Sequence, residues 1–181
     1  MRGLAKELVR LIRSEIGRGV RRGVEVGVWR GDTSEGLLRW LRRLKLVMVD
    51  PWDSGGLHTT MPKTAKQLRV AEAEARLRTD PFDSRRTILK MESEIAAARL
   101  KDDRYNFVFI DAEHTYEQVK QDIGLWWPKV RSGGILCGHD YNGRGDRSGS
   151  FGVKRAVDEW AEKMGLELNI GKQLIWWVRK P

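Results

Sequence analysis

The chain has 181 residues, 40% of them hydrophobic, and carries 34 Lys and Arg against 25 Asp and Glu for a formal net charge of +9. That is enough to bury one sizeable core, and no stretch approaches the roughly 20 apolar residues of a membrane span. The lone cysteine, Cys137, excludes an internal disulfide or a cysteine-built zinc site and suits a reducing cytoplasm.

Residues 1–19 hold an apolar stripe interrupted by Glu7 and Glu15, with no small-residue cleavage site after it, which predicts an amphipathic opening helix rather than a signal peptide. From Val24 a short apolar strand runs into Glu25, Gly27 and Gly31 and then a helix start, the way an α/β sheet opens a cofactor crevice. Residues 30–45 place Leu37, Leu38, Leu41 and Leu44 at helical spacing, and Asp32 with Glu35 reads as a capping box. A second strand over 46–50 ends in Asp50, 25 residues after Glu25. Helix 62–79, strand 87–91, helix 94–101, strand 106–111, helix 116–127, strand 134–139 and helix 153–164 follow. The strands are continuous in Val, Ile, Leu or Phe, as strands buried on both faces are. Segments 166–170 and 174–179 flank Gly171-Lys172 as a closing antiparallel hairpin, and the Gly/Ser/Arg-rich stretch 142–152 reads as a mobile loop. The expectation is one α/β domain over 1–181, Rossmann-like and doubly wound. Its seven-stranded sheet is mostly parallel, with helices on both faces and a C-terminal antiparallel hairpin.

The glycine spacing discriminates between cofactors. Dinucleotide enzymes show G-x-G-x-x-G, which lets backbone approach a pyrophosphate, whereas here the pattern is E-x-G-x-x-x-G with Trp29 where a second glycine would stand. A cofactor without phosphate, presenting an amino acid to the loop and a ribose further on, suits it better. The pattern resembles the first motif of the class I S-adenosylmethionine-dependent methyltransferases. A second block runs from Phe109-Ile110-Asp111-Ala112-Glu113-His114 through Tyr116, Glu117 and Asp122 to Gly133-Gly134-Ile135 and Gly138-His139-Asp140-Tyr141. It resembles a small methyltransferase family that includes relatives of macrocin O-methyltransferase and cephalosporin hydroxylase, with a likeness extending from Glu25 to about Trp160.

The resemblance implies methyl transfer from S-adenosylmethionine. By it, Glu25 helps hold the methionine ammonium, and the backbone of Gly27, Val28, Trp29 and Gly31, continuing into Thr33 and Ser34, lies against the methionine end. Asp50 accepts from the ribose hydroxyls, Pro51 or Trp52 packs on the adenine, and Glu92 and Ser93 contact its amino group. Asp111, Ala112 and His114 complete the cofactor's surroundings. Bland alternatives stand beside these roles: Gly27 and Gly31 as a tight turn, Trp52 as core, Glu92 as an acid complementing a helix dipole.

Methyl transfer to oxygen or nitrogen is a displacement in which positioning carries much of the rate, and a hydroxyl acceptor also needs its proton removed by a base or weakened by a metal. His114 is the candidate base, with Asp111 and His139 as further catalytic candidates; the alternatives are a helix-start residue for His114 and a satisfied neighbour for His139. Asp111, His139 and Asp140 converge from adjacent strand ends, where metal-dependent O-methyltransferases of the same broad fold hold a divalent ion. Magnesium and manganese prefer oxygen donors, and His139 departs from that pattern, so the metal-free version is preferred.

Arg10, Arg13, Arg18, Arg21, Arg22, Arg39, Arg42, Arg43 and Lys45 concentrate positive charge in the first quarter of the chain. This keeps nucleic acid as an alternative partner, although no RNA-binding module or aromatic stacking platform is recognisable and no Asn- or Asp-Pro-Pro-aromatic motif follows the fourth strand. The expected acceptor is a small molecule. The alternatives are a nucleic-acid-directed methyltransferase and an idle S-adenosylmethionine-binding module with a basic surface. Segments 1–19, 53–86 and 142–152 are left to wall the acceptor pocket, so a homodimer is expected to complete it. His58 and Arg144-Gly145-Asp146 are read as having no role.

Overall fold

The computed structural model describes residues 2–52, 63–142 and 152–181. Its elements in chain order are α1 (Arg2–Ile16), β1 (Arg22–Val26), α2 (Asp32–Trp40), β2 (Lys45–Val49), α3 (Ala65–Thr79), β3 (Arg86–Leu89), α4 (Ser93–Arg99), β4 (Tyr105–Ile110), α5 (Tyr116–Trp126), β5 (Val130–Gly138), α6 (Val153–Met164), β6 (Leu168–Ile170) and β7 (Trp176–Arg179). The sheet has seven strands in the order β3-β2-β1-β4-β5-β7-β6. β1 to β5 run parallel, while β7 is antiparallel to β5 and to β6. The chain winds outward from β1 through β2 to β3, then returns to start the other half at β4. The ends of β1 and β4 therefore frame the switch point at which such sheets bind ligands.

Alternation along the strands sorts the apolar side chains onto two faces. Phe107 and Phe109 join Leu8, Ile12, Leu37, Leu38 and Met48 beneath α1 and α2, whereas Val108 and Ile110 join Val24, Val26, Ile123 and Val157 beneath α5 and α6. Every residue of β4 is buried. β3, by contrast, is an edge strand and only partly buried, which corrects the expectation of a strand covered on both faces. α1 lies against α2, and a Cβ added to Gly36 would sit 2.5 Å from that of Ala5. Only the first turn of α1 approaches the carboxyl edge of the sheet, through Gly3 beside Gln173. Among the described residues, most of segment 1–19 is thus core packing rather than pocket wall.

Local boundaries differ where tertiary partners intervene. α2 stops at Trp40 instead of reaching Lys45, because the Arg85 guanidinium donates to the carbonyls of Leu38 (2.8 Å), Leu41 (3.3 Å) and Leu44 (3.3 Å) and satisfies the helix end. Leu41 and Leu44 stay buried outside the helix. The Asp32–Glu35 capping box does not form: Gly31 is the N-cap, with φ 77°, and both acids face Arg78 at 3.6 and 3.8 Å. A capping box occurs instead at α3, where Thr64 and Gln67 bond each other's backbone. The turn between β6 and β7 carries Gln173 and Leu174 at φ 58° and 56°, so β7 starts at Trp176. His58, Arg144-Gly145-Asp146 and most of the expected loop 142–152 lie outside the described residues.

Candidate active site

The turn after β1 is fixed by its neighbours. Asp111 N–H donates to the Val26 carbonyl at 2.8 Å and Gly27 N–H to the Val49 carbonyl at 2.9 Å, which wedges the turn between the ends of β2 and β4. Gly27 has φ 87°, and a Cβ there would lie 2.1 Å from the Asp111 carbonyl oxygen. Trp29 has φ 52°, in the left-handed region where a side chain costs about 1–2 kcal/mol. Its conformation shows why a glycine commonly stands at such a position. Asp50 Oδ2 holds it there by accepting from the N–H groups of Val28 (2.9 Å) and Trp29 (2.8 Å), while Oδ1 accepts from Trp52 N–H at 2.8 Å. The Trp52 indole N–H donates to the Trp29 carbonyl at 2.8 Å. Trp52 is only 3% exposed and packs with the core, the bland alternative to an adenine contact. Pro51 beside it is half-buried.

Glu25 sits under this turn, 1% exposed, and accepts from the Ser34 hydroxyl in the first turn of α2, where Thr33 is also buried. Burial pushes its carboxyl up to about 8; the Ser34 bond opposes the rise, and the charges of Asp111, Asp50 and Asp32 add to it. At neutral pH the side chain is mostly a neutral acid, and an arriving cation would convert it to a carboxylate.

On the next crossing, Glu92 occupies the N-cap position of α4 without a side-chain cap bond. Ser93 turns inward: its hydroxyl donates to Asp122 and accepts from Trp126 Nε1 at 2.8 Å, tying α4 to α5. Burial raises Asp122 to about 6, against the bonds from Ser93 and Gln118.

The ends of β4 and β5 bring the remaining candidates together. His114, buried just ahead of α5, has Nε2 3.0 Å from Asp140 Oδ2, and His139 Nδ1 lies 3.0 Å from the same oxygen and 3.5 Å from Asp111 Oδ1. Burial pulls the His139 imidazole down, but hydrogen bonds and charge from Asp111 and Asp140 outweigh it and push it up to about 10. Burial likewise opposes ionisation of Asp140, yet the two histidines hold it well below the usual carboxylate range. A cleft lined by Asp111, Ala112, Glu113, His114, His139 and Trp176 opens at this edge. The Trp176 ring lies on Gly138, where a Cβ would come within 2.5 Å of it.

Ligand atoms of Asp111, His139 and Asp140 lie within 4.8 Å of one another. Their reach suits a divalent ion, but two carboxylates and one imidazole form a poor donor set for magnesium, which prefers oxygen.

The structure thus gathers Glu25, Gly27–Gly31, Thr33, Ser34 and Asp50 on one side of the switch point and Asp111, Ala112, His114, His139 and Asp140 on the other. The anchoring of Val28 and Trp29 by Asp50 escapes sequence reasoning. Its only signal is an acid at a strand end, which a ribose partner explains equally well. Comparison with known proteins agrees with this frame. The family described as a methyltransferase domain matches residues 24–141. No curated protein matches the chain in sequence. Among solved structures, a protein from Corynebacterium glutamicum is similar at TM-score 0.70 and 19% identity, over 98% of this chain and 80% of that one. An O-methyltransferase from Bacillus cereus in complex with S-adenosylhomocysteine is similar at TM-score 0.64 and 17% identity, over 98% and 81%. An N-methyltransferase from Bradyrhizobium japonicum, also in complex with S-adenosylhomocysteine, reaches TM-score 0.65 at 17% identity, over 99% and 87%.

Proposed function

Because the chain belongs to the methyltransferase-domain family, we propose that it transfers a methyl group from S-adenosylmethionine to an oxygen or nitrogen of a small molecule. The observation that carries this reading is the buried Glu25 beneath a turn with three left-handed residues, Gly27, Trp29 and Gly31, at the switch point of the sheet. An acid that is neutral only for want of a counter-charge fits the ammonium of an amino-acid cofactor, and the half-buried Trp29 turn fits its backbone. The narrower likeness to macrocin O-methyltransferase and cephalosporin hydroxylase rests on the sequence motifs alone.

When bound, the cofactor supplies an electrophilic methyl group on a sulfonium. Glu25 holds the ammonium, Asp50 keeps the turn in shape beside the ribose, and Glu92 borders the adenine. His114 serves as base for a hydroxyl acceptor. Asp140 Oδ2 lies 3.0 Å from its Nε2, a base with a carboxylate beside it as in other active sites. The His139 ring, 3.5 Å from Asp111 and 3.0 Å from Asp140, keeps both acids in place and favours the ionised form of Asp140.

Several observations in the chain support the rest of the reading. Among the described residues no helix is long and apolar enough to cross a membrane, and Cys137 is buried and free, so a reducing cytoplasm is the proposed compartment. A homodimer is the proposed assembly. Nucleic acid is not the proposed methyl acceptor, since Arg18, Arg21, Arg22, Arg42, Arg43, Lys45 and Arg104 gather at the opposite edge of the sheet. Calorimetry tests the central reading: S-adenosylmethionine and S-adenosylhomocysteine should bind and NAD should not. Heat with NAD alone would refute it.

A further inference from the structure

The strands of the sheet present a carboxyl edge and an amino edge, and the candidate active site uses the carboxyl one. At the other, β1 begins with Arg22 and β2 with Lys45, and these two residues are direct register partners on neighbouring strands. Neighbouring strands lie about 4.8 Å apart, and like charges opposite one another are destabilising, so the pairing works against the fold. The backbone beneath is held firmly. Asn106 Oδ1 accepts from Arg21 N–H and Arg22 N–H, both at 2.9 Å, and Lys45 N–H donates to the Arg21 carbonyl at 2.8 Å. Arg18 precedes this corner, Arg42 and Arg43 lie in the connection from α2 to β2, and Arg104 precedes β4 on the other flank of β1; all of these side chains are exposed.

None of these seven cations forms an ion pair among the described residues, and the acids at the same edge are already taken. Glu15 lies 3.9 Å from Arg179, Asp102 2.7 Å from Lys129 and Asp103 3.3 Å from Lys180. The seven account for most of the chain's formal excess of +9. Six are arginines, whose planar forks suit phosphate oxygens better than a lysine point charge does. Trp40, 37% exposed at the end of α2, stands two residues before Arg42, and its carbonyl is gripped by Arg13 at 2.7 Å.

We propose that this amino-terminal edge of the sheet is a binding surface for single-stranded nucleic acid, holding the enzyme on a phosphodiester chain away from its methyl-transfer site. The cations meet the phosphates and Trp40 offers one base a face to stack on, the combination by which unpaired strands are held without sequence preference. A duplex would hide its bases from that indole. A membrane would ask for an apolar face to insert, where this edge has a lone half-exposed ring. β1 spans roughly 15 Å at about 3.3 Å per residue, so a strand lying along this edge does not reach His114.

The test is fluorescence anisotropy with labelled 15-nucleotide single-stranded RNA and DNA, the matching DNA duplex, and vesicles of phosphatidylcholine with phosphatidylserine. If about six phosphates are neutralised, affinity for a single strand should fall about 300-fold between 50 and 200 mM salt, from a slope of about −0.7 per phosphate. The RNA and DNA arms decide which strand is favoured. The combined variant Arg21→Glu, Arg22→Glu, Arg42→Glu and Arg43→Glu should lose binding while still binding S-adenosylhomocysteine in the calorimeter. Should it not fold, the single variants Arg22→Gln and Arg43→Gln should each lower the salt slope by about 0.7. Trp40→Ala should weaken single strands about five- to 150-fold and leave the duplex unchanged. Undiminished binding by the charge-reversed variant, salt-independent binding, or vesicle binding without oligonucleotide binding would overturn the proposal.

Discussion

Replacing Glu25 by glutamine should separate the stability of the fold from the use of the site. The wild-type carboxyl is raised from an ordinary 4.5 to about 8 by its burial. A folded-state acid with a raised pKa keeps its proton where the unfolded chain has lost it, so stability is full below pH 4.5 and declines as pH rises towards 8. The window is about 3.5 pH units wide at 1.36 kcal/mol each, or at most about 5 kcal/mol, with a steepest slope near 1.4 kcal/mol per pH unit. A glutamine side chain has the size of the neutral acid and cannot titrate, so the Glu25→Gln variant should gain on the wild type by that slope across the window. Urea unfolding of both proteins at pH 5, 7 and 9 measures the difference, in which the titrations of all other groups cancel. The same substitution should abolish tight cofactor binding. In the wild type, affinity for S-adenosylhomocysteine should climb up to tenfold per pH unit below pH 8, with a proton released on binding, seen as a dependence of the heat on buffer ionisation enthalpy. Two parallel stability curves would refute the assignment of a neutral buried acid, and wild-type affinity in the Glu25→Gln variant would remove Glu25 from the site.

Four further substitutions and one treatment follow from the same geometry. Gly27→Ala should cost more than the about 1–2 kcal/mol of a left-handed side chain, because its Cβ would strike the Asp111 carbonyl; Gly17→Ala, at φ 79° with nothing within 4 Å, should cost only the strain, and chemical melts of the two give the difference. Asp50→Ala orphans three backbone N–H groups and should lower stability by about 1–3 kcal/mol while weakening S-adenosylhomocysteine in calorimetry. His114→Ala should lower turnover of a hydroxyl acceptor about 10²- to 10⁴-fold with the cofactor affinity retained, measured as methyl transfer under saturating cofactor. Chelator should leave that turnover unchanged; a loss restored by magnesium or manganese would bring Asp111, His139 and Asp140 back as metal ligands.

The sheet was legible because buried parallel strands are written as unbroken runs, such as Phe107-Val108-Phe109-Ile110, punctuated by acids and glycines at their carboxyl ends. Glu25, Asp50, Asp111 and Asp140 could be placed on one edge from chain order alone. What could not be read depends on partners distant in sequence. Arg85 ends α2 from 44 residues away, and the left-handed Gly31 displaces Asp32 from the cap. Ser93 faces Asp122 and Trp126 because α5 happens to offer a buried acceptor and an indole there. Trp52 and the other tryptophans look alike in sequence, and only its burial in the cluster beneath α1 and α2 files it in the core. The basic residues were visible as composition. Their clustering was hidden until the topology put Arg22 and Lys45 side by side at the amino ends of β1 and β2.

Asp50 has a consequence for how a ligand arrives. Because it clasps the amides of Val28 and Trp29 directly, the turn shares the stability of the strands it joins and does not fray as a surface loop would. Those two amides should exchange with deuterated solvent only through opening of the central sheet, at rates near those of Val24 and Val108. A rigid turn has already met the entropy of its own ordering during folding, so that capture of the cofactor resembles docking onto a finished edge, governed by encounter and desolvation rather than by rearrangement of the chain.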